Sequence, residues 1–431
     1  MTSELSYRTL PNFVGRPNFV GRLVLALVIL AWATPRLQAE LSVSSDFPGG
    51  SADVIKVDQG ESLVEVEPPQ RFGNGWPCWW YFQVDGAVAG QPITVKVRAN
   101  REPFRDGRSL APHWSLPQQA SISGDRANWE QTRPGTIHVD HAVYQVTAPA
   151  ERFWIAWGPP FQLADAEALL DRIATNDPTA ERFELARTRE GRVVPAIRVG
   201  NRSGEHAVWV QARQHAWESG SSWVARGFID WVVSDDPRAV ALRAETEIVF
   251  VPIMDVDNVE RGAGGKDAVP RDHNRDWSDD PVYPEVAAAQ RRIGELIDAG
   301  RLRIFLDLHN PSSTDTNPFY FGPLSYERLP AAQQRLYNRF LDLSIEQITR
   351  PVAIHPQFRF ATYVKTQEER DRVSKMWVSN RGDQRLVSLT LETSWNTPQG
   401  TISGYTRVGQ GLAETVARFL LDDNPEFDQG S

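Results

Sequence analysis

Short stretches in which apolar and polar residues alternate make up the chain between residues 40 and 160. Their sequences are SLVEVE, CWWYFQVDG, PITVKVRA, IHVDHAVYQVTA and RFWIAWG, and turn residues separate them. Alternation with a period of two, in segments rich in Val, Ile, Tyr, Phe and Trp, is typical of antiparallel strands with one buried face. The pattern predicts an N-terminal β-sandwich domain over residues 40–160.

From residue 161 the pattern changes to apolar runs without alternation, each followed by a segment with helical periodicity. HAVWVQA precedes SSWVARGFIDWVV, and RIFLDLHN precedes LPAAQQRLYNRFLDLSIEQIT. Strands that are buried on both faces and covered by helices are typical of an α/β fold. We therefore predict a mixed β-sheet flanked by helices over residues 161–424, with Asp165 capping the first helix. The acidic residues 425–431 are predicted to form a frayed tail.

Residues 1–39 differ in character from both predicted domains. Arg8, Arg16 and Arg22 precede the apolar run LVLALVILAWA, and a small residue lies just before Glu40. This order of basic, apolar and small residues predicts a secretory signal peptide, because the apolar run is short for a membrane span. An uncleaved N-terminal anchor is the alternative interpretation.

The composition of the chain restricts the cellular compartment that we expect and the classes of partner that the protein can bind. The net charge of −9 makes nucleic acid and anionic membrane surfaces poor partners. Cys78 is the only cysteine, so an intramolecular disulfide and a cysteine-based zinc site are excluded, and we expect a buried, inert thiol. Export without disulfides favours a bacterial periplasmic or extracellular protein with no stable membrane association after signal cleavage.

Polar residues at the ends of the apolar strands carry the candidate chemistry. His215 and Glu218 follow HAVWVQA three residues apart, a pair that in isolation is more often a solvated helix face than a metal site. His309 ends RIFLDLHN. Ligand sites of α/β sheets lie beyond the carboxyl ends of the strands. Two imidazoles and one carboxylate form a complete protein ligand set for catalytic zinc, with one position left for water.

Further candidate groups lie in LVSLTLETSW and in the charged loop ERGAGGKDAVPRDHNRDWSDDP. Glu392 ends a buried strand, where a carboxylate can accept the proton of a water molecule and pass it to a leaving amine. In the loop, Arg275 can bind a carboxylate bidentately with Asn274 as a second donor, and Asp272 can fix the tautomer of a ligand histidine. A solvated network of charges is the alternative for this loop. GAGGKD lacks the spacing of a phosphate-binding loop.

Five motifs in this order resemble the zinc carboxypeptidases of the carboxypeptidase A type. They are RQHAWESGSSWVARGFIDWVV, VPIMDVDNV, DHNRDW, DLHN and LTLETSW. The likeness is nearer to the cytosolic-carboxypeptidase branch, in which a β-sandwich domain precedes the catalytic domain. The resemblance implies one zinc ion held by His215, Glu218 and His309, with Glu392 promoting the attack of water.

The same resemblance implies a substrate-binding role for the charged loop. Asn274 and Arg275 would grip the C-terminal carboxylate of the substrate, and Asp272 would support His215. The family also uses a cation to polarise the scissile carbonyl. We expect Arg261 in that role.

Lys266 and Arg271, in the same loop, are the alternatives to Arg261. The turn DVDN departs from the Asn-Pro-Asp-Gly of the family, Tyr363 is a candidate for the family's active-site tyrosine, and the residue in the specificity pocket is not assigned by KMWVSNRGDQR.

The expected function is therefore that of a secreted zinc metallocarboxypeptidase whose partner is a peptide or protein C-terminus. One alternative is a zinc amidase or deacylase that acts on cell-wall peptides or acylated amino acids. Another is a non-catalytic binding protein with a degenerate peptidase fold. For the β-sandwich, the choices are a substrate-gating domain, a folding partner and a binding module.

Overall fold

The computed structural model describes residues 39–422. The predicted signal peptide lies outside the described residues except for Ala39, and so does the predicted frayed tail. Among the residues that are described, none of the helices is long and apolar enough to cross a membrane.

The N-terminal part of the described chain folds into two facing β-sheets. Its strands are β1 (Ser42–Ser44), β2 (Asp53–Asp58), β3 (Leu63–Glu67), β4 (Tyr81–Asp85), β5 (Pro92–Arg98), β6 (Ser121–Ser123), β7 (Glu130–Gln131), β8 (Thr136–Ile137), β9 (His141–Thr147) and β10 (Phe153–Ala156). One sheet has the order β1-β4-β10-β6-β7 and the other β2-β3-β5-β9-β8. All pairs are antiparallel except β3 with β5.

The alternating side chains of these strands fill the space between the two sheets. Val95 of β5 and Tyr144 of β9 are buried, as are Trp80 and Phe82 at the start of β4. The single thiol, Cys78, is also buried, and this burial raises its pKa well above the usual value. Apolar burial on one face of each sheet therefore produces the predicted sandwich.

From residue 163 onwards the chain contains both helices and strands. Its elements are α1 (Leu163–Asn176), β11 (Glu181–Arg187), β12 (Val193–Gly200), β13 (His206–Ala212), α2 (Ser219–Val232), α3 (Pro237–Glu245), β14 (Thr246–Val251), α4 (Val256–Arg261), α5 (Pro284–Asp298), β15 (Leu302–His309), β16 (Phe319–Phe321), α6 (Ala331–Gln347), α7 (Gln367–Asp371), α8 (Ser374–Ser379), β17 (Val387–Glu392) and α9 (Ile402–Leu421). Short 3₁₀ turns occur at Pro112–Trp114, His273–Arg275 and Tyr326–Arg328.

A seven-stranded sheet with the order β11-β12-β14-β13-β15-β17-β16 forms the centre of this part. The four central strands β14, β13, β15 and β17 are parallel to one another, whereas the strands at both edges are antiparallel to their neighbours. Every residue of β13, β14, β15 and β17 is buried. The prediction of a mixed sheet flanked by helices and preceded by a β-sandwich is confirmed.

The start of α1 differs in detail from the sequence prediction, and the start of α2 bears on the site. Gln162, not Asp165, is the N-cap of α1, and Asp165 instead accepts a hydrogen bond from the Gln162 N–H in a capping box. Helix α2 has Glu218 as its N-cap, so the helix begins at a candidate metal ligand. Helix α9 packs so closely on α2 that a Cβ on Gly409 would lie 1.9 Å from the carbonyl oxygen of Val224. This contact fixes how closely α9 packs on α2.

Candidate functional site

The carboxyl ends of three neighbouring parallel strands define the site. In β15 and β17 the last residues, His309 and Glu392, lie opposite each other in the sheet register. After β13, which pairs with β15, the chain turns through Arg213 to Glu218 before α2 begins. Because parallel strands end at the same edge of a sheet, residues that are distant in sequence meet there.

The turn after β13 is shaped by a buried arginine. Arg213 has a φ of 65°, which is uncommon for a residue with a side chain. Its Nε donates to the carbonyl oxygen of Ala216 at 2.7 Å, and its Nη1 donates to that of Phe161 at 3.0 Å. These buried bonds offset the cost of the left-handed backbone. The turn then closes with the N–H of Glu218 donating to the carbonyl oxygen of His215 at 3.1 Å.

Three predicted ligands surround one point. Nδ1 of His215 lies 2.8 Å from Oε1 of Glu218, and Nδ1 of His309 lies 2.7 Å from Oε2 of the same carboxylate. Their ligand atoms all lie within 4.8 Å of one another, and all three side chains are buried. The H-x-x-E pair and the strand-end histidine, separated by 91 residues, therefore meet.

The far nitrogen of each imidazole faces a second carboxylate. Nε2 of His215 lies 3.1 Å from Oδ1 of Asp272, and Nε2 of His309 lies 2.9 Å from Oδ2 of Asp307. These carboxylates favour the tautomer with hydrogen on Nε2, which leaves the Nδ1 lone pairs directed at Glu218. Three groups rich in lone pairs then face one another in a buried space. Only a cation or additional protons can relieve that repulsion.

The pKa values reflect the same crowding. Burial works against ionisation of Glu218, but the two imidazoles outweigh it and lower its pKa. Burial lowers the pKa of His309, yet Asp307 and Glu218 more than reverse the effect and raise it well above its usual value. Burial opposes ionisation of Asp272 too, but His215 and Lys266 bring its pKa well below the usual range. Two imidazole nitrogens and a carboxylate, oriented by outer carboxylates, fit a zinc ion.

Asp307 is a site residue that the sequence analysis missed. Its Oδ2 accepts hydrogen bonds from Nε2 of Gln214 and from Oγ of Ser374, both at 2.6 Å, in addition to facing His309. Asp307 precedes His309 by two residues in β15, so both side chains project from the same face of the strand. The spacing D-x-H in an otherwise apolar strand is the signal that could have revealed it.

Glu392 lies beside the ligand cluster and is 8% exposed. Its Oε2 is buried and has no hydrogen-bond partner among residues 39–422. Burial, reinforced by the nearby charge of Glu218, raises the pKa of Glu392 to about 7, although His309 opposes the shift. A carboxyl group with a pKa near neutrality can both accept and donate a proton at physiological pH.

The charged loop contributes Lys266, Asn274 and Arg275 to the cavity. Nζ of Lys266 is 3.6 Å from Oδ2 of Asp272. Burial alone would lower the pKa of Lys266, but Asp272 outweighs it and raises that pKa. Asn274 donates its N–H to Asp272 at 2.8 Å and places Nδ2 3.3 Å from Nε2 of His309. Arg275 donates from Nη1 to the carbonyl oxygen of Asn274 at 2.7 Å.

Arg261 and Arg271 do not line this cavity. Nη1 of Arg261 donates to Oδ1 of Asn258 at 3.0 Å, and its guanidinium also pairs with Glu190. Arg271 is paired with Asp276 at 2.7 Å. The structure thus places Arg261, our first choice for the carbonyl-polarising cation, at the last residue of helix α4 and outside the set of residues that line the cavity. Lys266, the alternative, lies at the site.

The cavity in front of the ligands has a volume of about 450 Å³. Trp76, Trp114 and Trp217 line one part of it. Other aromatic and aliphatic side chains line the rest, together with the half-exposed Tyr363; these apolar residues are Phe319, Phe321, Leu324, Ala361, Val364 and Val373. A charged cluster at the base of an apolar cavity is the usual arrangement of a small-molecule or peptide site.

Lys375 is a buried cation among the apolar side chains of the cavity, and the sequence analysis did not identify it. Its Nζ donates to the carbonyl oxygen of Gly322 at 2.6 Å and lies 5.3 Å from the centre of the Phe321 ring. Burial lowers the pKa of Lys375 to about 7, against the opposing charges of Glu392 and Asp307. Among the described residues, no carboxylate forms a salt bridge with this amino group.

Two family profiles match successive parts of the chain. The cytosolic carboxypeptidase N-terminal domain matches residues 43–157, and the zinc carboxypeptidase domain matches residues 166–313. The first covers the β-sandwich, and the second begins within α1 and includes the H-x-x-E pair, the charged loop and His309.

Individual relatives and solved structures are similar to large parts of the chain. Cytosolic carboxypeptidase 3 of Bos taurus is 25% identical over 68% of this chain, which spans about a third (32%) of that relative's length. Cytosolic carboxypeptidase 6 of Homo sapiens is 23% identical over 95% of this chain and 84% of its own. The crystal structure of a metallo-carboxypeptidase from Burkholderia cenocepacia has the same fold, with a TM-score of 0.73 and 21% identity over 88% of this chain and 99% of that one. The chain therefore contains a zinc carboxypeptidase domain preceded by a cytosolic carboxypeptidase N-terminal domain.

Proposed function

We propose that this protein is a zinc-dependent metallocarboxypeptidase that releases the C-terminal residue of peptides. The observation that carries the proposal is the convergence of His215, Glu218 and His309 with the carboxyl group of Glu392 at the base of one cavity. The buried carboxyl oxygen of Glu392 lacks a hydrogen-bond partner in the described part of the chain, which costs folding stability. Beside a set of metal ligands, the same oxygen is free to transfer a proton. The match of residues 166–313 to the zinc carboxypeptidase domain supports the same function.

Asn274 and Arg275 are the proposed binding groups for the C-terminal carboxylate. Both line the cavity, and Asn274 lies next to the ligand His309. The planar guanidinium of Arg275 presents paired donors to a carboxylate, so a free C-terminus is favoured over an internal peptide bond. This preference would make the protein an exopeptidase.

The remaining groups account for the hydrolytic step. Zinc, when bound, supplies Lewis acidity to water and to a carbonyl oxygen. Glu392 accepts a proton from the attacking water and delivers it to the amine that leaves, which its raised pKa allows near neutrality. Lys266 stabilises the negative charge that develops on the carbonyl oxygen. Asp272 and Asp307 hold the two imidazoles in their ligand orientation.

Lys375 defines the proposed preference for the released residue. The N–H of the adjacent Ser374 donates to Oδ1 of Asn274 at 2.9 Å, so Lys375 lies beside the group that would hold the terminal carboxylate. A buried ammonium group without a carboxylate partner favours a ligand that supplies one. We therefore propose C-terminal residues with an acidic side chain as preferred substrates.

Export is part of the proposal and rests on the basic, apolar and small residues of positions 1–39. N-terminal sequencing of the protein from its native host should find a mature chain that begins near Glu40. An N-terminus that still contains the apolar run would favour the uncleaved anchor.

Replacement of Glu392 by Gln should lower kcat by about 10²–10⁴-fold because the amide cannot take up the proton of water. The measurement is amino-acid release from peptides with a free C-terminus. The same peptides with an amidated C-terminus are the control and should be poor substrates of the native protein. Activity that survives both Glu392→Gln and metal chelation would contradict the mechanism.

Replacement of Asp307 by Asn should weaken zinc binding by about 10–100-fold, because His309 loses the carboxylate that orients it. The measurement is a competition titration against a chelator of known affinity. Asp315→Asn is the matched control, since Asp315 lines the same cavity but pairs with Arg359 at 2.5 Å. Equal zinc affinity of the two variants would count against the assignment of His309 as a ligand.

Replacement of Lys375 by Met should remove most of a preference for C-terminal Glu over the uncharged Gln. We expect kcat/KM of the native protein to favour Glu by about 10–100-fold, the range for a hydrogen bond to a charged group. Lys365→Met is the control, because Lys365 is exposed and lies outside the cavity. A native protein that releases Gln as fast as Glu would refute the acidic preference without affecting the proposed reaction.

A further inference from the structure

Two tryptophans of the β-sandwich domain form part of the cavity wall. Trp76 and Trp114 are partly exposed and line the cavity together with the buried Trp217, which lies between the ligands His215 and Glu218 in sequence. The ring centroids of Trp76 and Trp114 are 4.7 Å apart, and those of Trp76 and Trp217 are 6.5 Å apart in a stacked arrangement. We call these three rings the tryptophan wall.

Backbone hydrogen bonds tie the tryptophan wall to the charged loop. The N–H of Trp76 donates to the carbonyl oxygen of Lys266 at 3.0 Å, and that of Gly265 donates to Asn74 at 2.9 Å. Nε1 of Trp76 also donates to Oδ2 of Asp267 at 3.1 Å. The wall is therefore a built feature of the cavity and not a mobile surface side chain.

The backbones of the charged loop and of the segment around Trp76 lie so close together that larger residues would not fit between them. A Cβ on Gly264 would lie 2.0 Å from the carbonyl oxygen of Trp76, and a Cβ on Gly75 would lie 2.2 Å from that of Lys266. On the other side of the loop, the N–H of Trp217 donates to the carbonyl oxygen of Gly264 at 3.1 Å. The glycines of GAGGKD thus allow the loop to pass between the sandwich domain and the ligand turn.

The position of the wall identifies the part of a substrate that would meet it. Nζ of Lys266, the proposed group for the scissile carbonyl, lies 5.5 Å from the centre of the Trp76 ring. Asn274, the proposed group for the terminal carboxylate, is bonded instead to Ser374 beside the Phe321 and Lys375 part of the cavity. A peptide held by both groups would direct its released residue toward Lys375, and its chain before the scissile bond would run along the tryptophans.

We propose that the tryptophan wall is a binding subsite for the penultimate residue of the substrate, and that it selects a large apolar or aromatic side chain there. The inference rests on the proposed carboxypeptidase function. Aromatic rings bind apolar side chains by removing their surface from water and bind other rings through edge or offset contacts. The N-terminal domain is then a determinant of substrate choice.

The first test compares peptides that differ only in the penultimate residue, Ala or Phe, and share the C-terminal residue that the native protein releases fastest. We expect kcat/KM to favour Phe by about tenfold or more. In Trp76→Ala and in Trp114→Ala this Phe-to-Ala ratio should fall to about threefold or less. The ratio is informative even if Trp76→Ala disturbs Lys266, because such a disturbance affects both peptides alike.

Trp129→Ala is the matched control. Trp129 is a partly exposed tryptophan of the same domain, donates to the carbonyl oxygen of Arg126 and does not line the cavity. It should retain the native ratio. Thermal melting curves identify any variant that does not fold, and Trp76→Leu and Trp114→Leu then replace the alanine variants.

A binding measurement separates this inference from the proposed function. Calorimetry with zinc-loaded Glu392→Gln protein gives the affinity for each peptide without turnover. Tighter binding of the Phe peptide that is lost in the Trp76 and Trp114 variants supports the subsite even if the native protein releases no amino acid. Release of the C-terminal residue with equal kcat/KM and equal affinity for both peptides would overturn the subsite and leave the proposed function intact.

Discussion

The burial of the Glu218 carboxylate between two imidazoles is the constraint on which the site depends. An ionised carboxylate in the interior is tolerated only with strong partners. Nδ1 of His215 and Nδ1 of His309 lie at its two oxygens, and they stabilise it only when they carry protons or bind a cation together with it. Both rings in turn need an acceptor for the hydrogen on their far nitrogen, which Asp272 and Asp307 provide. The outer carboxylates therefore orient the two imidazoles. The parallel strands bring the three central groups and Asp307 to one edge of the sheet, and the charged loop contributes Asp272.

The glycine-rich segment of the charged loop connects this cluster to the β-sandwich. Gly265 has a φ of 78°, and a Cβ there would lie 2.7 Å from the backbone nitrogen of Ala216, between the two ligands of the turn. On its other side the segment forms backbone hydrogen bonds with Asn74 and Trp76 of the β-sandwich domain. Both domains consequently contribute residues to the wall of the cavity. A change in the packing of the sandwich would be transmitted to the position of Lys266 through backbone contacts alone.

Burial has opposite effects on two groups of the same cavity. It raises the pKa of Glu392 and lowers that of Lys375, in each case to about 7, because low polarity disfavours the charged form of either group. One group is thereby suited to proton transfer and the other to responding to a charged ligand. The apolar walls are the common cause, so the proposed proton transfer by Glu392 and the proposed selectivity of the cavity depend on the same side chains.

The mixed sheet, its β-sandwich and the polar residues at the strand ends could be predicted from the amino-acid sequence, because these features depend on local periodicity and on where apolar runs stop. His215, Glu218, His309 and Glu392 could be named for that reason. Only the folded structure shows that Lys266 and not Arg261 lines the cavity, that Lys375 enters it and that Trp76 meets a loop 191 residues away. A loop with several cations offers no periodicity that distinguishes them, and contacts between domains leave no local pattern in either one.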